Sequence, residues 1–399
     1  MTAKAAGRLG PGLIVAICFS IAALEGYDIQ AFGVAAPRMA PDLGLGPSQL
    51  GLAGSAAMLG LAIGALTGGW AADRFGRRPV LTVSVVLFGI FSVATALSNS
   101  YETLVLARLA TGLGFGGAMP NMMAIATEIS PPNRRAITTT SMFCGLPAGG
   151  SAVALLAQFG GESVDWRTIF LIGGALPLLL APVVFFFLPE TRPAPAQHLD
   201  RRLINGLFGE KRALATSLIW LIFALDLLVT YLLLNWLPTL MVAKGFTPQD
   251  GAQASFWMNI CSVVGALILG WIADRTGYRG LLVAVFAGLA VALYGLSQFT
   301  GIGALYAAAG AAGFAVVGGL YILYALAPTY YPEGVRAAGS GAAIAFGRLG
   351  SIAGPLIAGE LRAVGFGPDQ VLLTLVPAAA ATALGVFALT TFCKPYARD

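Results

Sequence analysis

Apolar residues in this chain run on for about twenty positions at a time, with little polar alternation at the helical or strand period. Twelve such runs can be read, at 12–37, 48–72, 79–98, 102–127, 137–160, 166–188, 213–239, 250–273, 280–299, 302–329, 337–361 and 369–392. Each is long enough to cross about 30 Å of hydrocarbon as a helix, and a helix apolar on every side belongs in a core or a bilayer. The connecting stretches are short except 189–212, which is rich in Pro, Arg and Lys. The pattern predicts an all-α polytopic membrane protein. Twelve transmembrane helices are expected in two pseudo-symmetric six-helix bundles, 1–188 and 213–399, joined by a linker at 189–212. The first run is too long for a signal-peptide core and carries acids, so it is expected to stay in place.

Composition agrees: 57% of residues are apolar, 10% are charged, and mean hydropathy is +0.82, against about a quarter charged in soluble proteins. Charge then orients the chain. Of its 23 Lys and Arg, only Arg38, Arg167, Lys244 and Arg362 fall on one face, while Arg108 and Arg348 lie inside runs. The rest, including Arg74, Arg77, Arg78, Arg134, Arg135, Arg201, Arg202, Lys211, Arg212 and Arg275, fall on the other. The positive-inside rule puts that face and both termini in the cytoplasm, so an inner (plasma) membrane protein is expected. The net charge of +5 is thus a topology signal, with no basic cluster suited to nucleic acid. Cys18, Cys144, Cys261 and Cys393 lack metal or disulfide spacing and read as packing residues. His198, in the central linker, reads as solvated. A monomer is expected.

Against this background, the polar residues inside the runs stand out. Insertion scales put an Asp at a helix centre at about 2.5–3.5 kcal/mol. Glu25 and Asp28 share one helical face at i, i+3 spacing. The plain reading is a polar pair that ties two helices together; the functional one is a site for protons or a polar substrate. Asp226, Arg108 and Arg348 carry the same argument. Asn121, Asn235 and Asn259 fit interhelical hydrogen bonds as well as substrate contacts.

The two halves repeat at a constant offset of 201 residues. Gly69-Trp70-Ala71-Ala72-Asp73-Arg74-Phe75-Gly76 returns as Gly270-Trp271-Ile272-Ala273-Asp274-Arg275-Thr276-Gly277, and the same offset takes Pro37 to Pro238, Pro47 to Pro248 and Glu25 to Asp226. Such a parallel repeat is the plan of transporters that bind substrate near the midplane, between the repeats.

Gly69–Arg78 resembles the loop signature G-x-x-x-D-R-x-G-R-R of the major facilitator superfamily, and Arg108-x-x-x-Gly112-x-Gly114 is similar to a motif in the fourth helix of its proton-coupled members. Several segments resemble the aromatic acid:proton symporter family more narrowly: Glu25-Gly26-Tyr27-Asp28, Pro120-Asn121, Tyr231–Leu240, Tyr331-Pro332 and Gly347–Pro355. The resemblance implies import of an aromatic carboxylate with protons by alternating access, no cofactor and no enzymatic activity. Four positions depart from the family pattern. Glu25 replaces the usual Asp, Tyr278 stands where the first loop has Arg77, and Leu320 and Tyr324 stand where hydroxybenzoate carriers have Gln and Asn.

Roles follow from that reading. Burial disfavours a charged carboxylate and a neighbouring cation restores it, so Glu25 and Asp28 are expected to titrate as a coupled unit, with Arg108 as the tuning charge. We place the proton on Asp28, with Glu25 as the alternative. A guanidinium pairs well with a carboxylate, which makes Arg348 the candidate anchor and Arg108 its competitor. Tyr27, Tyr231, Tyr324 and Phe346 are candidate ring partners, though each also reads as bundle packing, and Asp226, Asn121, Asn235 and Asn259 complete the candidate substrate set. The resemblance ties Asp73, Arg77 and Arg78 to gating, with Glu128, Arg134, Arg135 and Asp274 beside them.

Gly112-Leu113-Gly114-Phe115-Gly116-Gly117 fits the dinucleotide pattern G-x-G-x-x-G but follows no strand. It reads instead as small residues that let helices meet, like Gly60/Gly64/Gly68 and Gly145/Gly149. Two rival readings share the fold: a carrier of another organic anion, and proton-driven efflux of lipophilic compounds. No P-loop or nucleophile–base constellation points to an ATP-driven pump or a membrane enzyme.

Overall fold

Inside a bilayer every backbone N–H and C=O needs an internal partner, and the apolar runs meet that need as helices. The structure, a computed structural model, describes residues 10–130, 135–191, 206–209, 212–332 and 335–396. In chain order the helices are α1 (Pro11–Asp42), α2 (Pro47–Phe75), α3 (Arg77–Ala96), α4 (Tyr101–Ile129), α5 (Arg135–Phe143), α6 (Gly145–Gly160) and α7 (Trp166–Phe187). There follow α8 (Ala213–Ala243), α9 (Pro248–Thr276), α10 (Tyr278–Gln298), α11 (Ile302–Leu326), α12 (Arg336–Ala363) and α13 (Pro368–Phe392). No strand occurs among the described residues. Among the described residues, eleven segments are long and apolar enough to span a membrane, with α5 and α6 forming one of them. The 29-residue α4 falls outside that set, its apolar character diluted by Arg108 and the glycines of 112–117. Arg134, His198, Arg201, Arg202, Lys211 and most of the predicted linker lie outside the described residues.

The chain divides into two compact units, Met1–Ala196 and Gln197–Asp399. In the first, α4 packs on α2 and α3, α3 on α7, and α1 on α6. In the second, α9 packs on α11, α8 on α12, and α10 on α11 and α13. Glycines make the same close approaches in both. A Cβ on Gly149 would strike the Ala23 carbonyl oxygen, and one on Gly350 the Ala224 carbonyl oxygen. Gly64 meets Leu113 as Gly265 meets Phe314, and Gly112 meets Ala57 as Gly313 meets Met258. Each of these pairs is related by the 201-residue offset, so the repeat extends from sequence to helix contact. The would-be dinucleotide glycines are accordingly helix-packing residues of α4.

Turn chemistry repeats too. Gly76 and Gly277 link α2 to α3 and α9 to α10 with φ of 94° and 80°, a region that glycine enters without steric cost. Four boundaries differ from expectation. α1 runs on through Pro37 to Asp42 and α8 through Pro238 to Ala243, since packed membrane helices tolerate interior prolines. The run 137–160 is interrupted at Cys144: Pro147 offers no N–H to the Phe143 carbonyl four residues back and crowds it. The tenth run ends earlier as an α-helix and finishes in a 3-10 turn, Ala327–Tyr330.

Candidate functional site

In the first unit, α1, α3, α4 and α7 enclose the charged residues. Asp28 and Arg108 are both buried, at 0% and 1% exposure, and form an ion pair with Arg108 Nη1 at 2.7 Å from Asp28 Oδ2. The other carboxylate oxygen accepts a hydrogen bond from the Ser92 hydroxyl at 2.7 Å. The guanidinium lies 5.2 Å from the Phe32 ring centroid and 5.6 Å from that of Phe170, within cation–π range. The predicted tuning charge therefore engages Asp28 directly. Glu25 is fully buried one turn earlier on α1. Tyr27 is buried, and its hydroxyl donates to the Ile169 carbonyl at 3.1 Å. Gly173 leaves space for its ring, because a Cβ there would stand 3.0 Å from Tyr27 Cε1.

In the second unit, the close approach of α12 to α8 at Gly350 and Ala224 brings Arg348 to Tyr231, whose hydroxyl oxygen accepts from Arg348 Nη1 at 3.2 Å. Tyr324 of α11 stands in the field of Arg348, Tyr231 and Asp226, with its ring 5.5 Å from that of Phe223 and 6.2 Å from that of Tyr321. Asp226 is buried, and neither carboxylate oxygen has a hydrogen-bond partner among the described residues. Arg348, Tyr231, Tyr324 and Asp226 thus form one cluster. Phe346 is not brought into it by a described contact. It stacks on Trp220 at 4.9 Å and is 38% exposed, because residues two apart on a helix face different ways. The amides of Asn121, Asn235 and Asn259 each donate at 2.8 Å to a carbonyl four residues back on their own helix. Each of these bonds stays within a single helix.

The gating candidates Asp73, Arg77 and Arg78 flank Gly76, the turn between α2 and α3. Arg77 pairs with Glu128 of α4, and its backbone N–H donates to the Thr191 carbonyl at 3.3 Å. Arg78 Nε lies 3.8 Å from Glu190 Oε2. Asp73 and Asp274 are exposed in the last turns of α2 and α9. Beyond Asp274, the Arg275 guanidinium sits 3.6 Å above the Trp271 ring. α5 begins at Arg135, whose side chain lies outside the described part. Sequence reasoning missed Ser92 and Glu190. A serine in an apolar run carries no signal until its neighbours are known, whereas Glu190 could have been matched to the nearby arginines as an unpaired acid at a helix end.

A family model described as the Major Facilitator Superfamily matches residues 18–355. The chain is 39% identical over 377 residues to the 3-(3-hydroxy-phenyl)propionate transporter of Escherichia coli, covering 94% of this chain and 93% of that one. It is 35% identical to the gallate transporter of Pseudomonas putida, covering 94% and 91%, and 36% identical to a 4-hydroxybenzoate transporter of Pseudomonas aeruginosa, covering 93% and 90%. Among solved structures, the inward open xylose transporter of E. coli superposes with a TM-score of 0.75 at 18% identity, covering 97% of each chain. That likeness establishes the fold.

Proposed function

Because the chain belongs to the major facilitator superfamily and sits among its aromatic-acid carriers, we propose that it imports an aromatic carboxylate together with protons by alternating access. The membrane would be the inner (plasma) membrane, with the Lys- and Arg-rich face and both termini in the cytoplasm. Relatives named for hydroxyphenylpropionate, gallate and hydroxybenzoate support a ring-bearing acid as cargo. The observation that carries the coupling is the buried Asp28–Arg108 pair. A proton arriving on Asp28 neutralises the carboxylate and releases the guanidinium from it. Loss of the proton on the other side of the membrane restores the pair.

In this reading Arg348 receives the substrate carboxylate, Tyr231 steadies the guanidinium, and Tyr324 contacts the substrate's ring. Asp73, Arg77, Arg78 and Glu128 act on the exchange between states, through the Arg77–Glu128 pair. The protein's own side chains and the proton gradient are sufficient for this cycle, and no cofactor is proposed. Asp28→Asn in proteoliposomes tests the proton assignment. Gradient-driven uptake is expected to disappear while exchange of labelled for unlabelled substrate continues. Uptake by the variant that still follows the gradient would remove Asp28 from the proton path.

A further inference from the structure

Ser92 on α3 is fully buried, and its hydroxyl has two acceptors in reach: Asp28 Oδ1 at 2.7 Å and the Phe170 carbonyl oxygen at 3.2 Å. One O–H donates to one acceptor at a time, and the same oxygen keeps lone pairs with which to accept. We propose that Ser92 is a positioning residue of the proton site, a rotor whose hydroxyl points at Asp28 when that carboxylate is ionised and at Phe170 when it carries a proton. This rests on the reading of Asp28 as the proton carrier.

The two states balance. In the ionised state, Ser92 and Arg108 each donate to a different oxygen of Asp28. In the protonated state, the new Asp28 O–H donates to Ser92 Oγ. The Ser92 proton then turns to the Phe170 carbonyl, whose oxygen has two lone pairs to offer. The transported proton stays on Asp28, and the serine keeps its own. Arg108, released from the carboxylate, remains flanked by the Phe32 and Phe170 rings. Both O–H donors of the Ser92–Asp28 pair keep an acceptor in either state, which lowers the cost of moving a proton in a dry site.

The other groups facing Asp28 leave this task to Ser92. From α4 comes Arg108, which has only donors. From α1 come Glu25 and Tyr27, and the Tyr27 hydroxyl is committed to the Ile169 carbonyl. From α7 comes the Phe170 carbonyl, an acceptor. Ser92 is the hydroxyl in this group that touches both Asp28 and a second acceptor.

The test is infrared difference spectroscopy of the full-length protein in proteoliposomes, following the carboxylic C=O stretch through a pH titration. Wild type, Asp28→Asn, Ser92→Ala and Ser92→Thr are compared. The wild type is expected to show a titrating band that Asp28→Asn lacks. In Ser92→Ala the band is expected at higher frequency. The frequency change follows from loss of the Oγ acceptor for the Asp28 O–H. Ser92→Thr keeps the hydroxyl and is expected to restore the wild-type frequency. A band absent from the wild type, or persisting in Asp28→Asn, would overturn the proton assignment and this proposal together. A band lost in Asp28→Asn but unmoved in Ser92→Ala would overturn the Ser92 role alone. A threonine variant that behaves like the alanine variant would overturn it as well.

Discussion

Breaking the Asp28–Arg108 pair from one side is expected to cost far more than removing it whole. The two groups are 2.7 Å apart at 0% and 1% exposure, so neither recovers hydration when its partner is lost. Deleting one member of such a pair costs about 3–5 kcal/mol. Asp28→Asn is expected near the lower figure, because the stranded guanidinium keeps the Phe32 and Phe170 rings, a contact worth up to about 2 kcal/mol when desolvated. Arg108→Gln is expected near the upper one, since the stranded carboxylate keeps only the Ser92 hydroxyl as a described donor. The double variant carries neither charge of the pair. Its loss is expected to fall short of the summed single losses by about 3 kcal/mol, the coupling a buried pair can show. Equilibrium unfolding in mixed detergent micelles, run on all four proteins, closes the cycle. Single losses that add to within about 0.5 kcal/mol would refute the reasoning, because independent sites behave that way.

Three further outcomes are expected. Gly149→Leu and Gly350→Leu should each lower the thermal midpoint in detergent, as overpacking costs about 1–3 kcal/mol or more. Gly69→Ala and Gly270→Ala, with no atom within 4 Å of the new Cβ, should not; equal effects would deny the packing role. Arg348→Lys should weaken binding of an aromatic acid about tenfold or more in a direct binding assay, since the ammonium cannot reproduce the guanidinium fork, and unchanged affinity would move the anchor elsewhere. Asp73→Asn and Glu128→Gln should slow turnover while leaving substrate affinity near wild type; normal turnover with a large loss of affinity would contradict a gating role. The Arg77–Glu128 pair is partly exposed, so little stability should be lost with it.

Helix number and extent were legible because length and apolarity are what a bilayer selects. The repeat was legible as well, and its offset is kept at single contacts such as Gly149 on Ala23 and Gly350 on Ala224. Helix ends near proline were less so: Pro37 and Pro238 are spanned while Pro147 interrupts, a difference decided by neighbours that sequence does not display. At the site, charge type was readable and partnership was not. Arg108 could be matched to either acid, and the distances choose Asp28. Phe346 reads in the sequence as a candidate ring partner, but helical geometry turns it away from Arg348. Ser92 was invisible because its role depends on Asp28 and Phe170, 64 and 78 residues away.

Uptake by the purified protein in proteoliposomes, with and without an imposed inward proton gradient, tests proton-coupled import most directly. Labelled 3-(3-hydroxyphenyl)propionate, 4-hydroxybenzoate, gallate and an aliphatic acid of similar size are the probes. At least one ring-bearing acid is expected to accumulate above its external concentration only when the gradient is present, and the aliphatic acid is not. Equal uptake with and without the gradient, or accumulation of the aliphatic acid alone, would contradict it.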